Sequence, residues 1–140
     1  MRLFIDTNII VDLLAARAPF AADAAQLFTF ADMGRVKLFS SSIAVTTTFY
    51  LLQKEVKPEV ARAAIQKLLT LVKVVDAGHP GIIRAINDLQ FKDFEDAVQY
   101  QSALASKAKI LVTRNEKDFG KSAISVMTPK QVLNSISSEQ

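Results

Sequence analysis

Apolar residues along this chain fall into two patterns: short unbroken runs, and longer stretches where they recur every three or four positions. Leu3-Phe4-Ile5 is of the first kind, which fits a strand buried on both faces. Val36-Lys37-Leu38-Phe39, Val72 to Val75, Lys109 to Thr113 and the short Ile124 to Met127, each with a polar residue or two, also read as strands. The stretches between them read as helices. One carries Ile9, Ile10, Val11, Leu13 and Leu14. The next opens at Pro19, keeps Ala22, Ala25, Leu27, Phe28 and Ala31 in period, and stops at Gly34. A helix from about Ile43 to Glu55 is expected to bury Val45, Phe49, Tyr50 and Leu52, although the β-branched run Thr46-Thr47-Thr48 opposes it. Pro58 opens another, with Val60, Ala61, Ala64, Ile65, Leu68 and Leu69 in period. Gly78-His79-Pro80-Gly81 is expected to break the chain, ahead of a helix through Ile82, Ile83, Ile86 and Leu89. A strongly helical segment runs from Asp93 to about Lys107, with Ala97, Val98, Leu104 and Ala105 inward. Thr128-Pro129 begins a last helix through Val132, Leu133 and Ile136, and Ser137 to Gln140 reads as a polar tail.

Short strands alternating with helices predict a parallel sheet covered on both faces, with helical pairs joining strands in two places. Repeats and linkers are not evident, so residues 1–140 form one domain. The expected fold is a three-layer α/β/α sandwich around a mainly parallel sheet of about five strands.

Composition narrows the chemistry. The chain has 50% hydrophobic residues, enough for a core, and no cysteine, which removes disulfides, thiolate zinc sites and cysteine nucleophiles together. Asp6 and Asp12 interrupt the early apolar run, so no signal-peptide layout is expected. No stretch approaches the roughly 20 apolar residues of a membrane span. A soluble, cytoplasmic protein is the expectation. The net charge of +3 permits a nucleic-acid partner without specifying one. The four glycines form no phosphate loop of either common spacing. A Ser/His/Asp triad would have to use His79, the one histidine, and no serine stands in a nucleophile-elbow pattern.

Acids stand next to strand ends or helix starts in three places. Asp6 ends the first strand, where open parallel sheets put their chemistry; Asp6-Thr7-Asn8 serves equally well as turn and cap chemistry, with Thr7 and Asn8 able to start the helix. Asp93 and Asp96 share a helix face, while Glu95 points elsewhere. Asp93 reads first as the N-cap of that helix, which leaves Asp96 as the better candidate for chemistry. Asp118 lies in a polar turn after the fourth strand, where Asn115 either caps the turn or offers a neutral oxygen. Were Asp6, Asp96 and Asp118 to converge, their repulsion would oppose ionisation, and a hard divalent cation such as Mg²⁺ would relieve it. A single histidine and no cysteine leave zinc or iron without their usual ligands.

The order Ile5-Asp6-Thr7-Asn8, then Asp96-Ala97 on a helix, then Leu111-Val112-Thr113-Arg114-Asn115 followed by Asp118-Phe119 resembles the PIN domain, and within it the VapC-like toxin ribonucleases. The resemblance spans essentially residues 1 to 135. It implies a Mg²⁺- or Mn²⁺-dependent endoribonuclease of a toxin–antitoxin pair, with an antitoxin partner and a homodimer. Asp6, Asp96 and Asp118 match the family's acids and would hold metal, with Asp93 as an additional catalytic acid. Thr7, Asn8, Thr113 and Asn115 match its supporting polar positions. Lys92, Arg114, Lys117 and Lys121 flank the acids and are candidates for RNA phosphate. One departure stands out: Thr47 occupies the position where the family usually has a glutamate. It motivates an alternative, a PIN-like RNA- or protein-binding module with weakened hydrolysis. A phospho-acceptor domain using Asp76 is disfavoured, because Asp6 is followed by Thr-Asn and the late strand ends Thr113-Arg114.

Overall fold

The chain begins with β1 (Arg2–Ile5), and Asp6 turns it directly into α1 (Thr7–Leu14). There follow α2 (Ala21–Asp32), β2 (Lys37–Ser40), α3 (Ser42–Leu52), α4 (Pro58–Leu68), β3 (Val72–Val74), α5 (Gly78–Asn87), α6 (Phe94–Ala105) and β4 (Ile110–Val112). A 3₁₀ turn (Glu116–Phe119), β5 (Ser125–Met127) and α7 (Pro129–Ser138) complete it. This computed structural model describes residues 1–138. Helical pairs join strands at three crossovers rather than two. Among the described residues no helix is long and apolar enough to cross a membrane.

All five strands are parallel, in the order β3-β2-β1-β4-β5. Because successive strand residues face opposite ways, the unbroken apolar runs supply two cores. Leu3, Ile5, Leu38, Val72, Ile110 and Val112 pack against α1, α2, α3, α4 and α7 through Ile9, Leu27, Ala44, Leu68 and Val132. Phe4, Phe39 and Leu111 face the opposite layer of Ala85, Phe91, Ala97, Tyr100, Ala103 and Phe119. The result is the three-layer α/β/α sandwich, with β1 at its centre and buried on both sides.

Several helix expectations shift. Pro19 lies in a turn, and α2 starts two residues later at Ala21; the Phe20 ring lies under the Arg114 guanidinium, 3.9 Å from it, which holds that turn. Gly34, with φ +76°, takes the left-handed position just past α2 that ends helices. On α3 the buried residues are Ala44, Thr48 and Leu52, while Tyr50 is 63% exposed. Within the threonine run, Thr46 and Thr48 donate their hydroxyls back to the Ser42 and Ala44 carbonyls, at 3.0 and 2.7 Å, and the fully buried Thr48 shows packing outweighing the weak helix propensity. Val60 on α4 and Leu69 just past its end are exposed. The Gly78-His79-Pro80-Gly81 segment is the first turn of α5, because a proline there removes an N–H that would have no helical partner. Leu104 and Ala105 face outward on α6, and Gln99, Gln101 and Ser102 are buried instead. Ser137 and Ser138 belong to α7, and the remainder of the expected tail lies outside the described residues.

Candidate active site

In this strand order the chain moves from β1 through β2 to β3, then returns to lay β4 on the other side of β1. The crevice between β1 and β4, at their carboxyl ends, is therefore the switch point where such sheets bind ligands. Asp6 and Thr113 stand on its two lips. The Asp6 N–H donates to the Val112 carbonyl at 2.9 Å, extending the β1–β4 ladder by one rung.

Asp6, rather than Thr7 or Asn8, is the N-cap of α1, its Oδ1 accepting the Thr7 N–H at 2.8 Å. It is 8% exposed, and a carboxylate so covered needs donors. Gln99 Nε2 donates to Oδ1 at 3.1 Å and Thr113 Oγ1 to Oδ2 at 2.9 Å. Asn8 Nδ2 reaches Oδ2 at 3.4 Å. The surrounding groups are tied in turn: the Thr113 hydroxyl accepts from the Asn115 N–H at 3.0 Å and from Asn8 Nδ2 at 3.3 Å, and Thr7 Oγ1 accepts from Gln99 at 3.3 Å. Asn115 thus enters through its backbone; its side chain is exposed and makes no cap bond.

The acids of the second half meet Asp6 electrostatically. Asp93 caps α6, its Oδ1 accepting the Asp96 N–H at 3.1 Å, as the three-residue spacing expects. Asp96, one turn in, has its carboxyl pushed from an ordinary 3.8 up to about 7, first by burial, then by the charges of Asp93, Asp118 and Asp6, and least by Glu95. Asp118 sits exposed on the 3₁₀ turn after β4. Acids from three distant segments therefore share one field. Among the described residues, no three His, Cys, Asp or Glu side chains are grouped so that they hold an ion by themselves.

Thr47 is partly buried on α3 and brings no charge. Lys92, Lys117 and Lys121 are exposed beside Asp93 and Asp118 in the chain. Arg114 is placed differently from a free phosphate contact. Its Nε and Nη2 donate to Asp12 at 2.6 and 3.2 Å, and its guanidinium also covers Phe20. Asp12 is 1% exposed, so this pair ties α1 to the loop after β4.

Sequence reasoning missed Gln99 and Ser41. Gln99 is buried, and its Oε1 accepts the Ser41 hydroxyl in a short hydrogen bond. A signal existed: Asp93, Asp96 and Gln99 recur at three-residue spacing, a polar line running into the helix past Ala97, Val98 and Tyr100.

Fold and site together define a parallel α/β domain with Asp6 at its switch-point crevice and a partly buried acid, Asp96, that feels the charges of Asp93, Asp118 and Asp6. The PIN domain family model matches residues 2–117, and the chain belongs to that family. It is 28% identical over 134 residues to Ribonuclease VapC1 of Aquifex aeolicus, across 93% of this chain and 92% of that protein. Among solved structures it is similar to VapBC-1 from nontypeable Haemophilus influenzae, with a TM-score of 0.69 and 20% identity over 93% of this chain and 99% of that one. VapC20 of Mycobacterium tuberculosis, described as a sarcin-ricin loop cleaving toxin, gives a TM-score of 0.65 at 18% identity, over 87% and 95% of the two chains.

Proposed function

We propose that this PIN domain is a Mg²⁺- or Mn²⁺-dependent endoribonuclease, the toxin of a toxin–antitoxin pair, acting in the cytoplasm on RNA phosphodiester bonds. The observation that carries the proposal is the placing of Asp6 at the β1–β4 switch point, where a Gln99–Asp6 bond of 3.1 Å ties it to α6, the helix that carries Asp96 and is capped by Asp93. Burial, and then the charges of Asp93, Asp118 and Asp6, raise the pKa of the Asp96 carboxyl. Carboxylates that repel one another need a reason to be assembled, and a hard cation supplies it. The donor set fits: it is all oxygen, and the one histidine is exposed on the first turn of α5. Asp6, Asp96 and Asp118 are the acids that would hold the ion. Because they form no ready ligand set by themselves among the described residues, water and substrate oxygens would make up most of its shell, as Mg²⁺ prefers. When bound, the ion supplies charge stabilisation to the phosphate and lowers the pKa of a bound water.

The chain's own groups do the rest. Asp93 fixes the start of α6 and adds negative charge beside Asp96. Thr7, Asn8 and Thr113 hold Asp6 in one orientation. Lys92, Lys117 and Lys121 offer charge to the RNA backbone, which makes binding salt-dependent. Support for the toxin assignment comes from the likeness to Ribonuclease VapC1 and to the VapBC complexes. Exposed Ile82, Ile83 and Ile86 along α5 support a homodimer.

The deciding assay incubates purified protein with structured RNA in Mn²⁺ or in EDTA. Cleavage that chelation stops, and that Asp6→Ala and Asp96→Ala each abolish, is the expected result; undiminished activity in both variants would refute the site. The neutral Thr47 favours a second reading, a binding module with weakened hydrolysis, for which RNA retained without cleavage in Mn²⁺ would speak.

A further inference from the structure

Gln99 is 1% exposed on α6, between Ala97, Tyr100 and Ala103 of the apolar layer. Burying an amide there is costly unless every polar atom is partnered, and all are. The amide's orientation is fixed by chemistry. Asp6 accepts only, so it must face the NH₂ group; the Ser41 hydroxyl, whose oxygen already accepts the Ala44 N–H at 3.2 Å, has its hydrogen left for Gln99 Oε1. The two amide hydrogens then go to Asp6 Oδ1 at 3.1 Å and Thr7 Oγ1 at 3.3 Å. A relay thus runs from the first turn of α3, through Ser41 and Gln99, to one oxygen of Asp6, while Thr113 pins the other.

We propose that Gln99 is a positioning residue that sets the orientation of the Asp6 carboxylate. The residue type suits that role, since an amide donates without bringing a positive charge, whereas a lysine or arginine here would neutralise Asp6 and compete with a cation. The consequence for catalysis rests on the metal-dependent reading above. Outer partners that orient a ligating carboxylate are typically worth 10–100-fold in metal affinity or activity.

The test compares Gln99→Met with Gln101→Met, a second buried glutamine on the same helix whose amide oxygen accepts from Arg84 at 3.0 Å, away from the crevice. Gln99→Met is expected to raise the Mn²⁺ concentration for half-maximal cleavage and lower kcat, together about 10–100-fold. KM for RNA should stay within about twofold, because no RNA contact is removed. Gln101→Met should change neither, which separates positioning from loss of buried packing. Ser41→Ala, which frees the amide from its anchor, should move in the same direction as Gln99→Met. A second readout needs no activity: in ¹⁵N spectra of the metal-free protein, the Gln99 side-chain amide pair should shift on Asp6→Asn. Wild-type kcat and metal requirement in Gln99→Met would overturn the proposal, as would a Gln99 amide pair that Asp6→Asn leaves unmoved. A wild-type protein that cleaves nothing would defeat the ribonuclease reading, while the spectra would still decide what Gln99 does to Asp6.

Discussion

Asp96→Asn should inactivate the protein and, without metal, make it more stable. The Asp96 carboxyl is held at about 7 against an ordinary 3.8, chiefly by burial and by Asp93. The folded chain therefore binds this proton more tightly than the unfolded chain. Between about pH 4 and 7 folding takes up a proton, so the group's contribution to stability is greatest at low pH and falls as pH rises through that window. Fully shielded, the difference would amount to about 4 kcal/mol. Asp96 is partly open to water, and screening reduces the figure to about 1–2 kcal/mol. Asparagine keeps the side-chain shape and removes the charge, and the backbone bond from residue 96 to Asp93 Oδ1 is untouched. In EDTA at pH 8 the variant should melt about 3–6 °C above the wild type; near pH 4 the two should coincide. Saturating Mg²⁺, at about 100 times its dissociation constant, should restore about 2.7 kcal/mol to the wild type and little to the variant. Thermal melts followed by circular dichroism, across pH and with or without Mg²⁺, measure each of these differences. A variant less stable than wild type at pH 8 without metal, or a difference independent of pH, would refute the account of Asp96.

Other perturbations test the frame around the site. Arg114→Ala leaves the Asp12 carboxylate buried without its partner and should cost about 3–5 kcal/mol in urea unfolding; Arg114→Lys should recover little of it, because the paired Nε and Nη2 donors and the cover over Phe20 are both lost. Asp76 accepts the Ser42 N–H at 2.8 Å and so caps α3 from the end of β3; Asp76→Ala should lower stability by about 1 kcal/mol, read from the urea midpoint. Lys117→Glu with Lys121→Glu should weaken RNA binding and flatten its dependence on salt, measured by anisotropy titration at two ionic strengths.

The parts of the molecule that could be read from sequence are those whose signal is local. Leu3-Phe4-Ile5 as a doubly buried strand, Asp6 at its end, Gly34 past α2 and Asp93 as a cap each follow from residues within one turn of one another. Helix orientation was less legible, because α3 and α6 have apolar or small residues on more than one face. The sheet alone decides which face is covered, and so Tyr50 and Leu104 point outward. The breaker signals of Gly78-His79-Pro80-Gly81 were real but belong to a helix start, where a missing N–H costs nothing. The pairing of Asp12 with Arg114 joins residues 102 apart in the chain and leaves no local trace. Gln99, which meets Asp6 across 93 residues, leaves a faint trace: its three-residue spacing from Asp96 marks it as polar on α6 but does not say what it meets.

Asp6 and Asp96 are both proposed to hold the cation, yet the structure surrounds them differently, Asp6 with hydrogen-bond donors and Asp96 with burial and like charges. Asp96 gains nothing from its charge in the metal-free chain; burial, and then its acidic neighbours, push against it. Asp6 accepts from Thr7, Gln99, Thr113 and Asn8, two donors to each oxygen, which matches the roughly four acceptor sites of a carboxylate. An ion that takes a place on Asp6 must therefore displace a donor, and the Asn8 amide, at 3.4 Å, holds on most weakly. Asp6→Asn replaces one accepting oxygen with a donor that faces other donors, so at least one buried bond is lost and a repulsive donor–donor pair takes its place. It should destabilise the metal-free protein by about 1–3 kcal/mol, the reverse of Asp96→Asn. Urea unfolding of the two variants side by side in EDTA checks this, and a stabilised Asp6→Asn would mean that the donors around Asp6 do not hold it as a carboxylate.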